Sequence, residues 1–154
     1  MGKLLGVIAL VVAIVAGVLW FAGESRVSGT LGLSGGSSDD ARIIEKGTLD
    51  FLEDVRFKDF AKAATYHSLA DQKTVDVPRL IEDIFHIKPE LLDILRYEVV
   101  NVELDSTKTR GRVKTRTTVR ILNTDKVEKP AIIFYWEKDH HDGVWVMKLQ
   151  SSLR

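Results

Sequence analysis

The sequence contains no cysteine, which excludes disulfide bonds, thiolate zinc sites, iron–sulfur clusters and a cysteine nucleophile. It also lacks a glycine-rich phosphate loop and a nucleophile elbow. Neither sign of charge is in excess, because 22 lysines and arginines balance 22 aspartates and glutamates. Bulk charge therefore gives no reason to expect a polyanionic partner such as a nucleic acid.

The chain has the size and composition of one folded domain. It has 154 residues, and ordinary domains contain roughly 100–200. Its apolar fraction of 45% and charged fraction of 29% are typical of globular chains rather than disordered ones. The patterns described below place that domain at residues 39–154.

An uncharged apolar segment covers residues 4–22. A helix of this length measures about 28 Å, close to the roughly 30 Å hydrocarbon core of a bilayer. Trp20 and Phe21 end the segment, where aromatic rings favour the headgroup boundary. We therefore expect an uncleaved single-pass transmembrane helix. Since Lys3 precedes it, the positive-inside tendency predicts a cytoplasmic N-terminus of residues 1–3 and an extracytoplasmic domain, which in a bacterium is periplasmic and held at the inner membrane.

A cleaved signal peptide is the alternative interpretation of the same segment. The apolar region of a signal peptide has about 7–15 residues and ends at small residues two apart. Residues 4–22 are longer and end in bulky aromatics, which favours the anchor. Gly23-Glu24-Ser25 nevertheless has the small-x-small form of a cleavage site, so the sequence leaves both interpretations open.

Glycine and serine dominate residues 23–38, with five of each in that segment. This composition predicts a flexible tether with a root-mean-square length of about 20–25 Å. Such a tether would keep the folded domain close to the bilayer.

Helical periodicity dominates the first half of the domain. Ser37 and Asp40 form a capping-box pattern, after which apolar residues recur at helical spacing as far as Val55. Gly47 weakens this helix by about 1 kcal/mol relative to alanine, which predicts a kink or a close approach of another element. Three further short helices are expected over residues 57–66, 76–85 and 88–95.

After Leu95 the apolar period changes from helical to alternating. Four strands are predicted, over residues 96–104, 110–122, 131–138 and 144–149. Their short connections favour antiparallel neighbours. Helices that precede an antiparallel sheet predict an α+β fold in which the helices cover one face of a four-stranded sheet.

Several features of this arrangement carry a family resemblance: the helical opening with Arg56-Phe57-Lys58-Asp59-Phe60, the short helices, and four strands ending in Asp142-Gly143-Val144-Trp145-Val146-Met147. Together they resemble the nuclear transport factor 2-like superfamily of cone-shaped, cystatin-like α+β domains. The resemblance covers residues 39–154 and implies a curved sheet that encloses a cavity with the helices. Members include isomerases, dehydratases, cyclases and non-catalytic binding or assembly domains, so it implies a pocket and not a reaction.

The second predicted strand carries a stripe of positive charge. Period-2 geometry places its cations on one face and its β-branched residues on the other, which packs against the core. A partner-binding face is therefore expected, for an envelope protein or an anionic surface. Its members are Arg110, Arg112, Lys114, Arg116 and Arg120.

The alternative interpretation of the stripe is a solvated face whose cations pair with acids on neighbouring strands, such as Glu103 or Glu137. Nucleic acid is not expected to bind there, since threonines rather than stacking aromatics lie between the cations. A homodimer through the same face requires acids to be interleaved with the cations.

Four residues have the chemistry of a general acid or base in a cavity: His67, His86, Asp71 and Tyr97. No spacing links them, and each also fits a cap, a surface position or a satisfied core position. A metal site is not expected at residues 140–141, because adjacent histidines on a strand face opposite ways and the following Asp-Gly pair indicates a hairpin turn. No cofactor is expected.

These patterns predict a membrane-anchored extracytoplasmic domain that binds a ligand or a protein without catalysis. The alternative is a small-molecule enzyme of isomerase or dehydratase type that uses a cavity histidine or aspartate as its general base. A buried base beside a polar partner would favour the enzyme. A cavity filled by Phe57, Phe85, Phe134 and Trp136 would count against it.

Overall fold

The computed structural model describes residues 39–153, which form an α+β fold with helices packed against one face of an antiparallel sheet. The predicted fold class is thereby confirmed for the domain. In chain order, the elements are helices α1 (Asp39–Arg56) and α2 (Phe60–Ala64), a first 3₁₀ helix (Asp71–Lys73), helix α3 (Val77–Phe85), strands β1 (Leu92–Leu104), β2 (Arg110–Ile121), β3 (Val127–Glu128), β4 (Ala131–Lys138) and β5 (Trp145–Met147), and a second 3₁₀ helix (Leu149–Leu153).

Three predictions concern residues that lie outside this description: the anchor, the tether and the cap at Ser37. Within residues 39–153, no helix combines the length and the apolar character needed to cross a membrane. The anchor at residues 4–22 therefore stays a prediction.

Helix α1 packs closely on the sheet at Gly47. A Cβ atom there would lie 2.6 Å from Cη2 of Trp136, so the glycine marks a close approach, one of its two predicted roles. At the next residue of the helix, Oγ1 of Thr48 accepts a hydrogen bond from the indole Nε1 of Trp136 at 2.9 Å. That hydroxyl donates in turn to the carbonyl of Ile44 at 2.8 Å, so the buried polar atoms of this contact are satisfied.

The second predicted helix is shorter than expected. Phe57 precedes it and is exposed, and Lys58 has a left-handed backbone with a φ of 63° that ends the path of α1. Asp59 then caps α2 by accepting a hydrogen bond from the amide of Lys62 at 3.0 Å. The helix predicted over residues 76–85 is confirmed as α3, with Pro78 in its first turn and Asp76 as its N-cap.

The helix predicted over residues 88–95 is wrong. A turn occupies this place, in which the amide of Leu91 donates to the carbonyl of Lys88 at 2.9 Å, and β1 begins at Leu92. Leu92 and Ile94 are buried while the intervening Asp93 is not, which is the alternation of a strand. A short apolar segment fits both periods, and pairing with β2 decides between them.

The sheet has the strand order β1-β2-β4-β5, and the short β3 pairs with β2. The strands predicted over residues 110–122 and 131–138 correspond to β2 and β4, the last strand is shorter than predicted, and β3 was not expected. The register between β1 and β2 shifts on either side of Leu95 and again at Val100. Such bulges bend a strand and increase its twist, and they leave these two apolar side chains exposed.

The core fills the space between the helices and the inner face of the sheet. The rings of Phe51 on α1 and Phe134 on β4 meet edge to face with centroids 5.7 Å apart. On β2, the inner side chains are fully buried at Val113, Thr115, Thr117 and Val119. The outer face of the sheet is left in contact with solvent.

Candidate functional site

The basic side chains of β2 lie on the outer face of the sheet, as predicted. All five cations of this strand are exposed, and the strand pairs with β1 on one side and with β4 on the other. Arg112 lies between Glu103 and Tyr135, and Lys114 lies between Asn101 and Ile133. The face therefore mixes cations with acids and with partly buried apolar residues.

Four of the five cations pair with acids on neighbouring strands, as the solvated-face interpretation predicts, and the acids named in advance are among them. The pairs are Arg110–Glu137 at 3.9 Å, Arg112–Glu103 at 2.5 Å, Arg116–Glu98 at 2.9 Å and Arg120–Asp93 at 2.5 Å. All four lie at the solvent-exposed surface, where an ion pair contributes only about 0–1 kcal/mol. Each acid offsets the charge of the arginine beside it, so little net charge remains around these four arginines.

Lys114 differs from the other cations of the face. Among the described residues it has no acidic partner, and its side chain is exposed. It borders a hollow of about 290 Å³ that Val100 and Ile133 also line, together with Asn101 and the paired side chains of Arg112 and Glu103. Val100 projects there because the second bulge of β1 removes its partner on β2. The hollow thus joins a free ammonium group to two apolar side chains. We call it the Lys114 hollow.

A second polar site lies where the loop after α2 meets the end of β5. It is a pocket of about 110 Å³, lined by His67, Asp71, Thr74, Val75 and residues 147–151. Two candidates from the sequence, His67 and Asp71, meet here. The amide of Met147 donates to the carbonyl of Tyr66 at 2.7 Å and joins the two segments. We call this the His67 pocket.

Asp71 and Lys148 form an ion pair across the His67 pocket. Nζ of Lys148 lies 3.2 Å from Oδ2 of Asp71, and both side chains are partly exposed. The hydroxyl of Ser68 accepts from the amide of Asp71 at 3.1 Å. A hydrogen bond with that hydroxyl, followed by Lys148, lowers the pKa of the Asp71 carboxyl. The pocket therefore holds the ionised carboxylate of Asp71 in contact with the side-chain nitrogen of Lys148.

His67 is 5% exposed, and burial lowers the pKa of its imidazole below the ordinary value of 6.5. Its Nδ1 lies 3.2 Å from the carbonyl of Ala64. Because a carbonyl only accepts, we assign the proton to Nδ1 and a lone pair to Nε2 in the neutral ring. Nε2 is buried and has no hydrogen-bond partner within the described residues.

The two other candidates do not join this pocket. His86 is the exposed C-cap of α3, with a left-handed φ of 55°, and its amide donates to the carbonyl of Glu82 at 2.8 Å. The hydroxyl of Tyr97 is hydrogen-bonded to the carboxylate of Glu53 on α1. Burial and Glu53 raise the pKa of Tyr97 to about 12, so this phenol stays protonated at neutral pH.

The two adjacent histidines lie in the exposed turn between β4 and β5. The amide of His141 donates to Oδ1 of Asp139 at 2.8 Å, and Gly143 completes the turn with a φ of 71°. The predicted hairpin turn is confirmed. Within residues 39–153, no three histidine, aspartate or glutamate side chains are placed to hold a metal ion together.

Sequence reasoning missed the residues that complete both sites. Lys148 follows the last strand and gives no signal of its partner, because Asp71 lies 77 positions earlier. Val100 and Ile133 read as ordinary strand residues, and only the bulge in β1 exposes the first of them. Comparison of the chain with models of protein families, with curated proteins and with solved structures gives no match in any of the three.

Proposed function

We propose that the chain is a membrane-anchored extracytoplasmic domain that binds a protein partner through the outer face of its sheet, without catalysis. The observation that supports this most is the Lys114 hollow, where an unpaired cation borders apolar side chains on an exposed surface. The chemistry that fits the hollow is an acidic residue next to an apolar one on the partner. Such a contact combines charge complementarity with apolar burial.

The mixed charge of the face favours a protein over an anionic membrane or a nucleic acid. Five cations of β2 are accompanied by four paired acids, so the surface has little net positive charge. Lipid headgroups and phosphate backbones attract clusters of unpaired basic residues. A protein surface can instead match alternating charges one by one. A second copy of this chain meets the same requirement and is an outcome of the test below.

The proposal places the domain outside the cytoplasm, held by a transmembrane helix at residues 4–22 and a tether at residues 23–38. The apolar length of the first segment and the glycine–serine composition of the second support it. Tethering confines the domain to a thin layer at the membrane, which raises its effective concentration toward other membrane-bound proteins.

We further propose membership of the nuclear transport factor 2-like superfamily, which the order of helices and strands and the bulged β1 support. The enzyme alternative has less support. Phe85, Phe134 and Trp136 are packed in the core at the place where a cavity would lie, although Phe57 is 68% exposed and does not join them. A binding role needs no such cavity.

Site-specific photo-cross-linking in intact cells tests the proposed surface. The photoreactive residue p-benzoylphenylalanine replaces Ile133, which lines the Lys114 hollow, in the full-length chain. The matched control carries it in place of Ile43, an exposed isoleucine that lies on α1. We expect one adduct of defined mass from position 133 and none of that mass from position 43.

The mass of the adduct separates the possible partners. A mass equal to two copies of the chain assigns the face to a homodimer, and any other single protein mass supports a heterologous partner. Adducts of lipid alone, or equal yields from both positions, contradict a protein-binding sheet face.

Topology is tested separately. Protease added to spheroplasts should digest residues 39–154, and an N-terminal fragment should stay in the membrane pellet after a carbonate wash. Protection of the domain would reverse the proposed orientation. Release of undigested chain into the soluble fraction would favour cleavage at the Gly23-Glu24-Ser25 site over anchoring.

A further inference from the structure

In the His67 pocket, every polar atom of His67 except one has a hydrogen-bond partner within the protein. The backbone amide of His67 donates to the carbonyl of Ala64 at 3.1 Å, and its carbonyl accepts from Nε2 of Gln72 at 2.8 Å. Its ring Nδ1 also lies on the carbonyl of Ala64. These bonds set the ring orientation and the tautomer, and they leave only Nε2 without a partner.

An unpartnered acceptor in this position is costly. A buried polar atom without a hydrogen bond destabilises the fold, and proteins tolerate it mainly where a ligand or an ordered water completes it. His67 lines the pocket, and the described residues supply no donor to Nε2. Because His67 is one of the lining residues, we take the missing donor to belong to an occupant of the pocket.

The charges of the pocket restrict that occupant. Lys148 and Asp71 face His67 as an ion pair, so the pocket carries no net charge. A carboxylate on the ligand would be attracted by Lys148 but repelled by Asp71. An ammonium group on the ligand would be attracted by Asp71 but repelled by Lys148. An uncharged hydroxyl compound avoids both penalties, because each hydroxyl can donate to one acceptor and accept from one donor.

We propose that the His67 pocket binds two adjacent hydroxyl groups of an uncharged polyol or sugar. One hydroxyl donates to Nε2 of His67, and its neighbour lies between Lys148, which donates, and Asp71, which accepts. Ser151 also lines the pocket, and its hydroxyl can donate or accept a further hydrogen bond. The site is separate from the sheet face, so it stands or falls independently of the protein partner proposed above.

The size of the pocket fits this chemistry. A volume of about 110 Å³ corresponds to roughly four water molecules, at about 30 Å³ for each. That is enough for the diol end of a molecule but too little for a whole sugar ring. A free small polyol and the edge of a larger sugar share this diol, and the experiment distinguishes them.

Nuclear magnetic resonance of the histidine rings in the full-length chain in detergent tests the proposal. The chain has four histidines, of which the exposed His86 is an internal control. Glycerol and methyl glucoside are the diol probes, and 1-propanol is the matched compound without a diol. We expect saturable shifts of the His67 ring signals with at least one diol probe, none with 1-propanol, and none at His86.

The two probes separate the sources of the diol. Saturation by glycerol alone assigns the pocket to a free polyol, and saturation by methyl glucoside assigns it to a sugar edge. The absence of saturable shifts with both, which is the result for a pocket that holds water only, overturns the proposal. So does equal affinity for 1-propanol.

Variants and pH add two further readouts. Lys148→Met should weaken binding of the diol probe by about tenfold, since it removes a charged donor, and Ser151→Ala, which removes only a partly exposed hydroxyl, should weaken it less. Lys126→Met, at an exposed turn, should leave it unchanged. Because binding needs the lone pair on Nε2, the diol should lower the pKa of His67 further. Unchanged affinity in both pocket variants, or a raised pKa, contradicts the assignment.

Discussion

The two faces of β2 share one backbone but differ in burial, in charge and in the groups that they contact. On the inner face, Val113 and Thr115 are fully buried against the helices, and the threonine hydroxyl donates to the carbonyl of Ile132 at 3.2 Å. On the outer face, Arg112 and Lys114 point into solvent one residue away. Burial on one side stabilises the fold, while the other side is free to change without loss of the core. The inner face therefore stabilises the fold, and the outer face is the surface that we propose for recognition.

The largest expected effect comes from the inner face at Phe134. Phe134→Ala should lower the free energy of unfolding by about 3–5 kcal/mol, because it removes a fully buried ring in contact with Phe51. The adjacent Ile133→Ala, on the outer face, should cost no more than about 1 kcal/mol. Urea denaturation of the fragment of residues 39–154, which contains the whole described core cluster, measures both. Equal losses would show that the two faces are not distinct.

Overpacking between α1 and the sheet should have the next largest effect. Gly47→Ala places a methyl group 2.6 Å from Cη2 of Trp136. Overpacking of this kind costs about 1–3 kcal/mol. Alanine in place of glycine gains roughly 1 kcal/mol of helix propensity, so the cost of overpacking exceeds the gain over most of its range. We therefore expect a net loss in urea denaturation. Ile43→Ala, on the exposed side of the same helix, is the control, and a stabilised Gly47→Ala variant would show that the contact is loose.

The pH dependence of stability should follow His67. Its pKa is lowered in the folded protein, so below the ordinary value of 6.5 the unfolded chain binds more protons than the folded one. Stability should then fall as the pH drops below 6.5, by at most about 1.4 kcal/mol per pH unit for this one group. Asp71 and Lys148 face the ring, and the lowered pKa of the Asp71 carboxyl keeps that group ionised throughout this range.

His67→Gln is the comparison for this effect, because glutamine does not titrate. Thermal melts of both proteins between pH 7 and pH 5 measure it. We expect a smaller loss of melting temperature in the variant than in the original protein. Parallel losses would mean that His67 is not the group responsible.

The smallest expected effect separates paired from unpaired cations on the outer face. Arg116→Gln breaks the exposed pair with Glu98 and should cost about 0.2–1 kcal/mol. Lys114→Gln breaks no pair among the described residues and should leave the unfolding free energy unchanged within error. A cost at Lys114 as large as that at Arg116 would mean that Lys114 has an acidic partner.

Local sequence patterns were enough to predict most elements of the fold. The alternation in residues 110–122 predicted both faces of β2, and the helical period predicted α1 and α3. The segment after Pro89 was misassigned because a few leucines satisfy either period, and the pairing of Leu92 with Ile121 is a long-range contact. The bulges of β1 were equally invisible, since they depend on how two strands align.

The sites depended still more on long-range contacts. His67 and Asp71 were candidates by residue type alone, and nothing in the sequence linked them to Lys148. The stripe on β2 was predicted, and so were its acidic partners Glu103 and Glu137. What distinguishes Lys114 from its neighbours is the absence of an acid opposite it, where the register places Asn101 and Ile133. The pattern within one strand does not give this register, because it is set when the strands pair in the folded sheet.

The yield of the cross-linked adduct from position 133, measured with Lys114→Glu in the full-length chain, tests the binding role of the outer face most directly. The matched control is Lys126→Glu, which reverses an exposed cation at the turn after β2. If the Lys114 hollow receives an acidic partner, the first reversal should abolish the adduct and the second should not, with unchanged melting temperatures in both. The adduct of the original protein should also weaken as salt rises, since exposed charges are screened within about 8–10 Å at physiological ionic strength. Undiminished, salt-independent adduct formation by the folded Lys114→Glu variant would contradict the account.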